Sequence, residues 1–166
     1  MLRNAPTPAA RARGAGGSGL AADGLAANGL MVTHIAAAAA AVTWAVLDWI
    51  MDKRPTLVGV STGAVGGLVA ITPAAGFVSV GSAIIIGIVV SLICFWMVAK
   101  VKRKLGYDDS LDAFGVHGIG GLVGAILTGV LASPLIQSSY SGAIFGNWHQ
   151  LWVQLIASVA TIVFSG

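Results

Sequence analysis

The sequence predicts an all-α integral membrane protein with about five transmembrane helices. Of its residues, 57% are hydrophobic and only 9% are charged, whereas a soluble domain carries about a quarter charged residues. No stretch sustains the alternation of polar and apolar residues that a transmembrane barrel requires. Five apolar stretches, each near the roughly 20 residues that a helix needs to cross hydrocarbon, lie at about residues 25–51, 56–74, 80–100, 111–133 and 147–166.

The second stretch carries two signals of its own. Gly59, Gly63 and Gly67 are spaced by four, and this spacing predicts a face on which another helix packs closely. The stretch ends at Pro73, where Thr72 precedes it, so we expect a kinked or tilted end. Proline also frees a backbone carbonyl about one turn back. That carbonyl needs a partner, which the sequence leaves open as a neighbouring helix or a polar pore.

The basic residues predict how the chain is oriented in the lipid bilayer. Lys53 and Arg54 separate the first two stretches, and four more basic residues occupy 100–104 between the third and fourth. The alternate loops, 75–79 and 134–146, contain neither Lys nor Arg. By the positive-inside rule the basic loops face the cytoplasm. Because the basic residues form short clusters between apolar runs, and not one surface patch, a nucleic-acid partner is not predicted.

Residues 1–16 differ from the rest and predict a disordered or non-family tail ahead of a membrane domain at 17–166. The tail has three arginines and no apolar core for a secretory signal; a transit peptide is the alternative. Its arginines would lie outside, against the orientation rule. The last stretch stops at Gly166 without a flanking charge. We therefore expect the sequence to be cut at both ends.

His117 is an ionisable residue near the start of the fourth stretch. On a regular helix it shares a face with Gly121, Gly124 and Thr128. Such a bare stripe either admits another helix closely or leaves a narrow passage beside the imidazole. The preceding segment predicts Asp108 or Asp109 as the helix N-cap, with Asp112 in the first turn.

A second histidine, His34, falls in the outer half of the first stretch, at a different depth from His117, so we do not expect the two to pair. The segment 118–124, GIGGLVG, is one residue too long between its second and third glycines for a dinucleotide fingerprint and follows no strand. Cys94 is the single cysteine and permits no internal disulfide. The sequence predicts no cofactor, no metal site and no enzymatic activity.

Four segments together resemble the ammonium transporter family, the Amt/MEP/Rh group. They are GSGLAADGLAAN (17–28), THIAAAAAAVTW (33–44), KRPTLVGVSTGAVGGLVAITPAAGFV (53–78) and KRKLGYDDSLDAFGVHGIGGLVGAILTGV (102–130). The resemblance covers about residues 17–166. It implies the last five spans of an eleven-span subunit, which in this family lies in the plasma membrane, forms homotrimers and is often controlled by a PII-type regulatory protein.

The resemblance also implies roles for three residues. His117 matches the second of the family's paired pore histidines, Thr72 matches a hydroxyl near the pore, and Ser18 matches the serine of the outer vestibule that recruits ammonium. The first pore histidine, the gating phenylalanines and the vestibule tryptophan belong to earlier spans. Where the family has a phenylalanine just before Gly17 and Ser18, this sequence reads GAGG.

The function implied is transport of ammonium or ammonia across the membrane. A pore that selects by radius would confuse ammonium with potassium, but only ammonium can release a proton and cross as a neutral molecule. Neutral imidazoles in an apolar pore suit that molecule. Two alternatives stay open: a non-conducting fragment that packs with full subunits, and an independent five-span channel in which His34 and His117 meet.

Overall fold

The computed structural model describes residues 24–101, 114–138 and 140–165. Ser18 and the three aspartates predicted to begin the fourth span lie outside these residues. The described residues form five α-helices: α1 (Gly24–Asp52), α2 (Leu57–Ile71), α3 (Val80–Trp96), α4 (Ile119–Leu131) and α5 (Trp148–Ser165). Two π-helical turns extend this set, one after α3 (Met97–Val101) and one before α4 (Phe114–Gly118), and a short 3-10 turn (Ala143–Phe145) precedes α5.

Among the described residues, three helical segments are long and apolar enough to cross a membrane: Gly24–Asp52, Val80–Ala99 and Phe114–Leu131. The other two, α2 and α5, are apolar but shorter. The prediction of an all-α membrane fold with about five apolar helices is confirmed. The orientation drawn from the basic loops remains a prediction.

The short length of α2 follows from Pro73. The helix ends at Ile71, and residues 72–77 continue as turns. Pro73 has no N–H to donate to the Val69 carbonyl one turn back. That carbonyl accepts instead from the Thr72 backbone N–H at 3.3 Å. The Leu68 carbonyl in turn accepts from the Thr72 hydroxyl at 2.8 Å. The partner is therefore Thr72 itself, and neither a neighbouring helix nor a pore is needed to satisfy this backbone.

The centre of the fold is the contact of α1 with α2 and α3. The alanine run 36–41 favours a helix and presents almost no side-chain bulk. A Cβ on Gly67 of α2 would lie 2.7 Å from the Ala36 carbonyl oxygen, and one on Gly63 would lie 3.0 Å from that of Ala40. The backbones of α1 and α2 are therefore in direct contact, as glycines spaced by four on one helix allow. The predicted packing role of the α2 glycines is confirmed.

On the same stripe of α1, α3 is held by a buried polar contact. The Ser91 hydroxyl donates to the Ala40 carbonyl oxygen at 3.0 Å. Trp44, one turn further along α1, packs edge-to-face on Phe95 of α3 with ring centroids 5.3 Å apart. The fourth helix lies across α2 and α3, and α5 packs on α4. This arrangement leaves one face of α2 uncovered within the described residues.

Candidate functional site

His117 lies in the π-helical turn Phe114–Gly118, and its side chain is exposed at the surface of the chain. A π-turn has i→i+5 hydrogen bonds in place of the i→i+4 bonds of an α-helix, and such turns recur at functional sites. Gly124 and Thr128, by contrast, are buried. A Cβ on Gly121 or Gly124 would meet Val69 or Ala70 of α2, and the open space beside His117 is also lined by α2. His117, Gly121 and Gly124 therefore lie towards the same neighbouring helix, which packs closely on Gly124 and leaves His117 exposed.

The glycines of α4 serve helix packing. A Cβ on Gly124 would overlap the backbone of Ala70 in α2, and one on Gly120 would touch Cys94 Sγ at 3.5 Å. The Thr128 hydroxyl is also used locally, since it donates to the Gly124 carbonyl at 2.8 Å. Of the two possibilities that the sequence left open for the small residues of this helix, close approach of another helix applies to Gly124, and it applies equally to the neighbouring Gly120.

The open space beside His117 lies against α2. A cavity of about 430 Å³ is lined by seven residues of α2 and the π-turn: Leu57, Val58, Ser61, Thr62, Val65, Val116 and His117. Its walls are mainly apolar, and its polar side chains are the imidazole and two hydroxyls. We call this cavity the His117 pocket.

The two hydroxyls of the His117 pocket have a defined hydrogen-bonding polarity. Ser61 Oγ donates to the Leu57 carbonyl at 2.8 Å, and Thr62 Oγ1 donates to the Val58 carbonyl at 2.9 Å. Each hydroxyl hydrogen is thereby engaged within the helix, and the oxygen lone pairs remain as acceptors. A ligand that donates N–H groups fits such a wall, whereas a ligand that only accepts hydrogen bonds does not.

The uncovered face of α2 extends from the His117 pocket to Thr72. Residues separated by three or four positions share one face of a helix. On α2 and its C-cap the residues of one such face are all exposed: Leu57, Ser61, Val65, Leu68 and Thr72. We call this row the α2 stripe. It is apolar in its middle, with Ser61 and the adjacent imidazole towards one end and the Thr72 hydroxyl at the other.

The structure does not bring Thr72 and His117 into one cavity. Thr72 is not among the residues that line the His117 pocket, and it lies eleven residues along the helix from Ser61, or roughly 16 Å at 1.5 Å per residue. His34 is likewise outside the lining of this pocket. Its Nδ1 lies 2.9 Å from the Leu30 carbonyl oxygen of the same helix.

Sequence reasoning missed Asp48. This aspartate lies within α1 and is only 6% exposed. Its Oδ2 accepts from the Thr56 backbone N–H at 3.1 Å and from the Thr56 hydroxyl at 3.0 Å. One signal was available, because an ionisable residue inside an apolar span marks a functional or structural site. The partner of Asp48, Thr56, could not be predicted from helical spacing, because a turn separates the two residues.

Comparison with known proteins identifies the family. Residues 15–166 match the Ammonium Transporter Family. An ammonium transporter of Bacillus subtilis is 49% identical over 128 residues, which cover 76% of this chain and 32% of that protein. The ammonium transporter Amt1 of Archaeoglobus fulgidus is 46% identical over 90% of this chain and 38% of its own length.

A solved structure agrees with these sequence matches. The crystal structure of Saccharomyces cerevisiae Mep2 superposes with a TM-score of 0.82 at 38% identity, over 89% of this chain and 36% of Mep2. The chain thus spans about a third of the length of these relatives. The Bacillus and Archaeoglobus proteins are ammonium transporters, not enzymes. Its apolar helices and these matches together show a multi-pass membrane protein that belongs to the Ammonium Transporter Family.

Proposed function

We propose that this chain supplies one wall of a path that carries ammonium or ammonia across the plasma membrane. The observation that carries the proposal is the α2 stripe. It is an uncovered, largely apolar row that runs along the full length of α2, with the His117 pocket at one end and Thr72 at the other. The chain corresponds to about a third of its relatives. In this proposal the remaining part of a subunit covers the stripe and closes the path.

The chemistry of the wall favours a neutral N–H donor over a bare cation. Moving an unpaired charge into an apolar passage costs many kcal/mol. Ammonium avoids this cost by leaving its proton outside and crossing as ammonia, a route that potassium lacks. The imidazole of His117 and the acceptor oxygens of Ser61 and Thr62 can hold ammonia by hydrogen bonds along the way.

Three residues have proposed roles in this path. His117 is the second member of a histidine pair, and its partner is supplied by the remaining part of the subunit. Thr72 offers a hydroxyl oxygen at the far end of the α2 stripe. Ser18 belongs to the outer vestibule that recruits ammonium. We further propose that residues 17–166 form the family domain, that the complete subunit assembles as a homotrimer, and that a PII-type protein controls it from the cytoplasm.

Transport by a chimera tests the proposal. In the Bacillus subtilis ammonium transporter, the segment that this chain matches is replaced by the corresponding residues of this chain. The chimera is produced in cells that lack ammonium transporters, and uptake of radioactive methylammonium is measured. We expect uptake well above the background of empty cells, with the Bacillus parent as the positive control and the amount of protein in the membrane measured for both.

The same assay separates the alternative functions. If the 166-residue chain alone takes up methylammonium, it is an independent five-span channel. If it conducts nothing alone but co-purifies with full-length subunits, it acts as a packing fragment. A chimera that assembles in the membrane in normal amounts and yet shows no uptake contradicts the proposed path.

A further inference from the structure

The buried carboxyl group of Asp48 joins the end of α1 to the beginning of α2. Thr56 is the N-cap of α2, with φ −108° and ψ 145°. Its hydroxyl accepts from the Gly59 backbone N–H at 3.0 Å while donating to Asp48 Oδ2 at 3.0 Å. The result is a continuous chain of hydrogen bonds from the first turn of α2 through Thr56 to α1.

There is little freedom around this chain of hydrogen bonds. A Cβ on Gly59 would overlap Asp48 Oδ2 and would lie 2.9 Å from Trp44 Nε1. Glycine is therefore the only residue type at position 59 that lets the first turn of α2 lie this close to Asp48 and Trp44. The carboxyl group lies in a closely packed corner between the two helices, and this packing fixes its direction.

The connection between the helices does not itself determine where α2 begins. Only residues 53–56 separate α1 from α2. Lys53 adopts a left-handed backbone with φ 61°, a conformation that a non-glycine residue adopts at a cost. Pro55 has no N–H with which to hold the turn. Lys53 and Arg54 are exposed. The bonds from Thr56 to Asp48 are thus the polar contacts that hold this turn against α1.

The first turn of α2 is also a wall of the His117 pocket. Leu57 and Val58 are the first two residues of α2 and both line that pocket, with Ser61 one turn further on. A rotation or shift of this turn would change the width of the pocket and the direction of the Ser61 oxygen. We propose that Asp48 is a positioning residue of the transport path, which holds the pocket wall formed by α2 at the distance from His117 that conduction requires; this rests on the proposed function above.

Ser91 provides a matched comparison, because it also ties a helix to α1 by a buried hydrogen bond. Its hydroxyl binds the Ala40 carbonyl from α3, and Ser91 does not line the His117 pocket. Loss of either contact removes a hydrogen bond between two helices and lowers stability. A purely structural role for Asp48 therefore predicts the same behaviour for Asp48→Ala and Ser91→Ala. A positioning role predicts that only Asp48→Ala changes the pocket and the transport rate.

The first readout needs no conduction. Spin labels are placed on Leu57→Cys and Val42→Cys, two exposed positions on α2 and α1, in the full chain in detergent; Cys94 is buried and serves as the unlabelled background. We expect Asp48→Ala to shift or broaden the distance distribution between the labels. Asp48→Asn, which retains an acceptor oxygen, should restore the parent distribution. Ser91→Ala should leave it unchanged although it lowers the melting temperature.

The second readout is methylammonium uptake by the chimera carrying the same substitutions. We expect Asp48→Ala to lower the maximal rate about tenfold, with the apparent KM within about twofold because recruitment from outside is untouched. Asp48→Asn should remain near the parent rate. The positioning role would be overturned if Asp48→Ala and Ser91→Ala had equal effects. It would also be overturned if Asp48→Ala left the label distance or the uptake rate unchanged. If the unsubstituted chimera does not conduct, the proposed function fails, while the spin-label distances still decide whether Asp48 places α2.

Discussion

Replacement of His117 by alanine in the chimera is expected to reduce methylammonium uptake to the background of cells without a transporter. The imidazole is the ionisable group of the His117 pocket, and it supplies both a donor and an acceptor on an otherwise apolar wall. Because the side chain is exposed at the pocket and not buried between helices, its removal leaves no gap in the packing. The amount of chimera in the membrane should therefore be unchanged.

His34→Ala is the matched control for this result. It removes the other imidazole found in a long apolar helix, at a position outside the His117 pocket. We expect uptake within about twofold of the unsubstituted chimera. Equal losses in the two variants would favour the independent channel in which both histidines meet. Uptake that survives His117→Ala would remove His117 from the path.

Replacement of Gly124 by alanine is expected to lower the free energy of unfolding by about 3 kcal/mol, the upper end of the usual cost of overpacking. The new Cβ would overlap the carbonyl oxygen, the carbonyl carbon and the Cα of Ala70. These are backbone atoms, so no side-chain rotation can relieve the overlap, and α2 and α4 have to separate. Unfolding of the purified chain in a mixed detergent series, followed by circular dichroism, measures the change.

Gly121→Ala is the control on the same helix. Its Cβ would meet Val69 Cγ1 at 3.7 Å, which is an ordinary van der Waals contact. We expect a change within about 0.5 kcal/mol, since alanine also favours the helix over glycine. Similar stability losses in the two variants would show that α2 and α4 do not pack as the structure describes.

The features that sequence predicted well depend on regular geometry. The glycines of α2 recur at intervals of four, so their packing face follows from the helix itself, and the seam against Ala36 and Ala40 confirms it. The end of α2 near Pro73 was likewise fixed by a covalent property of proline. Both predictions required no knowledge of what lies elsewhere in the fold.

The features that sequence missed depend on irregular or distant geometry. The π-turn at Phe114–Gly118 carries no pattern of its own, so the sequence predicted a regular helix where the structure has a π-turn with His117 exposed beside α2. Asp48 finds its partner across a turn, where no spacing rule applies. The α2 stripe becomes visible only once α1, α3 and α4 have covered the other faces of α2.

The central claim, that the α2 stripe lines the conduction path, is tested most directly by thiol accessibility in the chimera. Ser61→Cys, on the stripe, is compared with Val42→Cys, which is also exposed but lies on α1 away from the His117 pocket. A small, positively charged, water-soluble thiol reagent is applied, and methylammonium uptake is followed. We predict that modification of Ser61→Cys blocks uptake, that ammonium slows the modification, and that Val42→Cys is unaffected. If Ser61→Cys does not react, or reacts without slowing uptake, the path does not run along this face of α2.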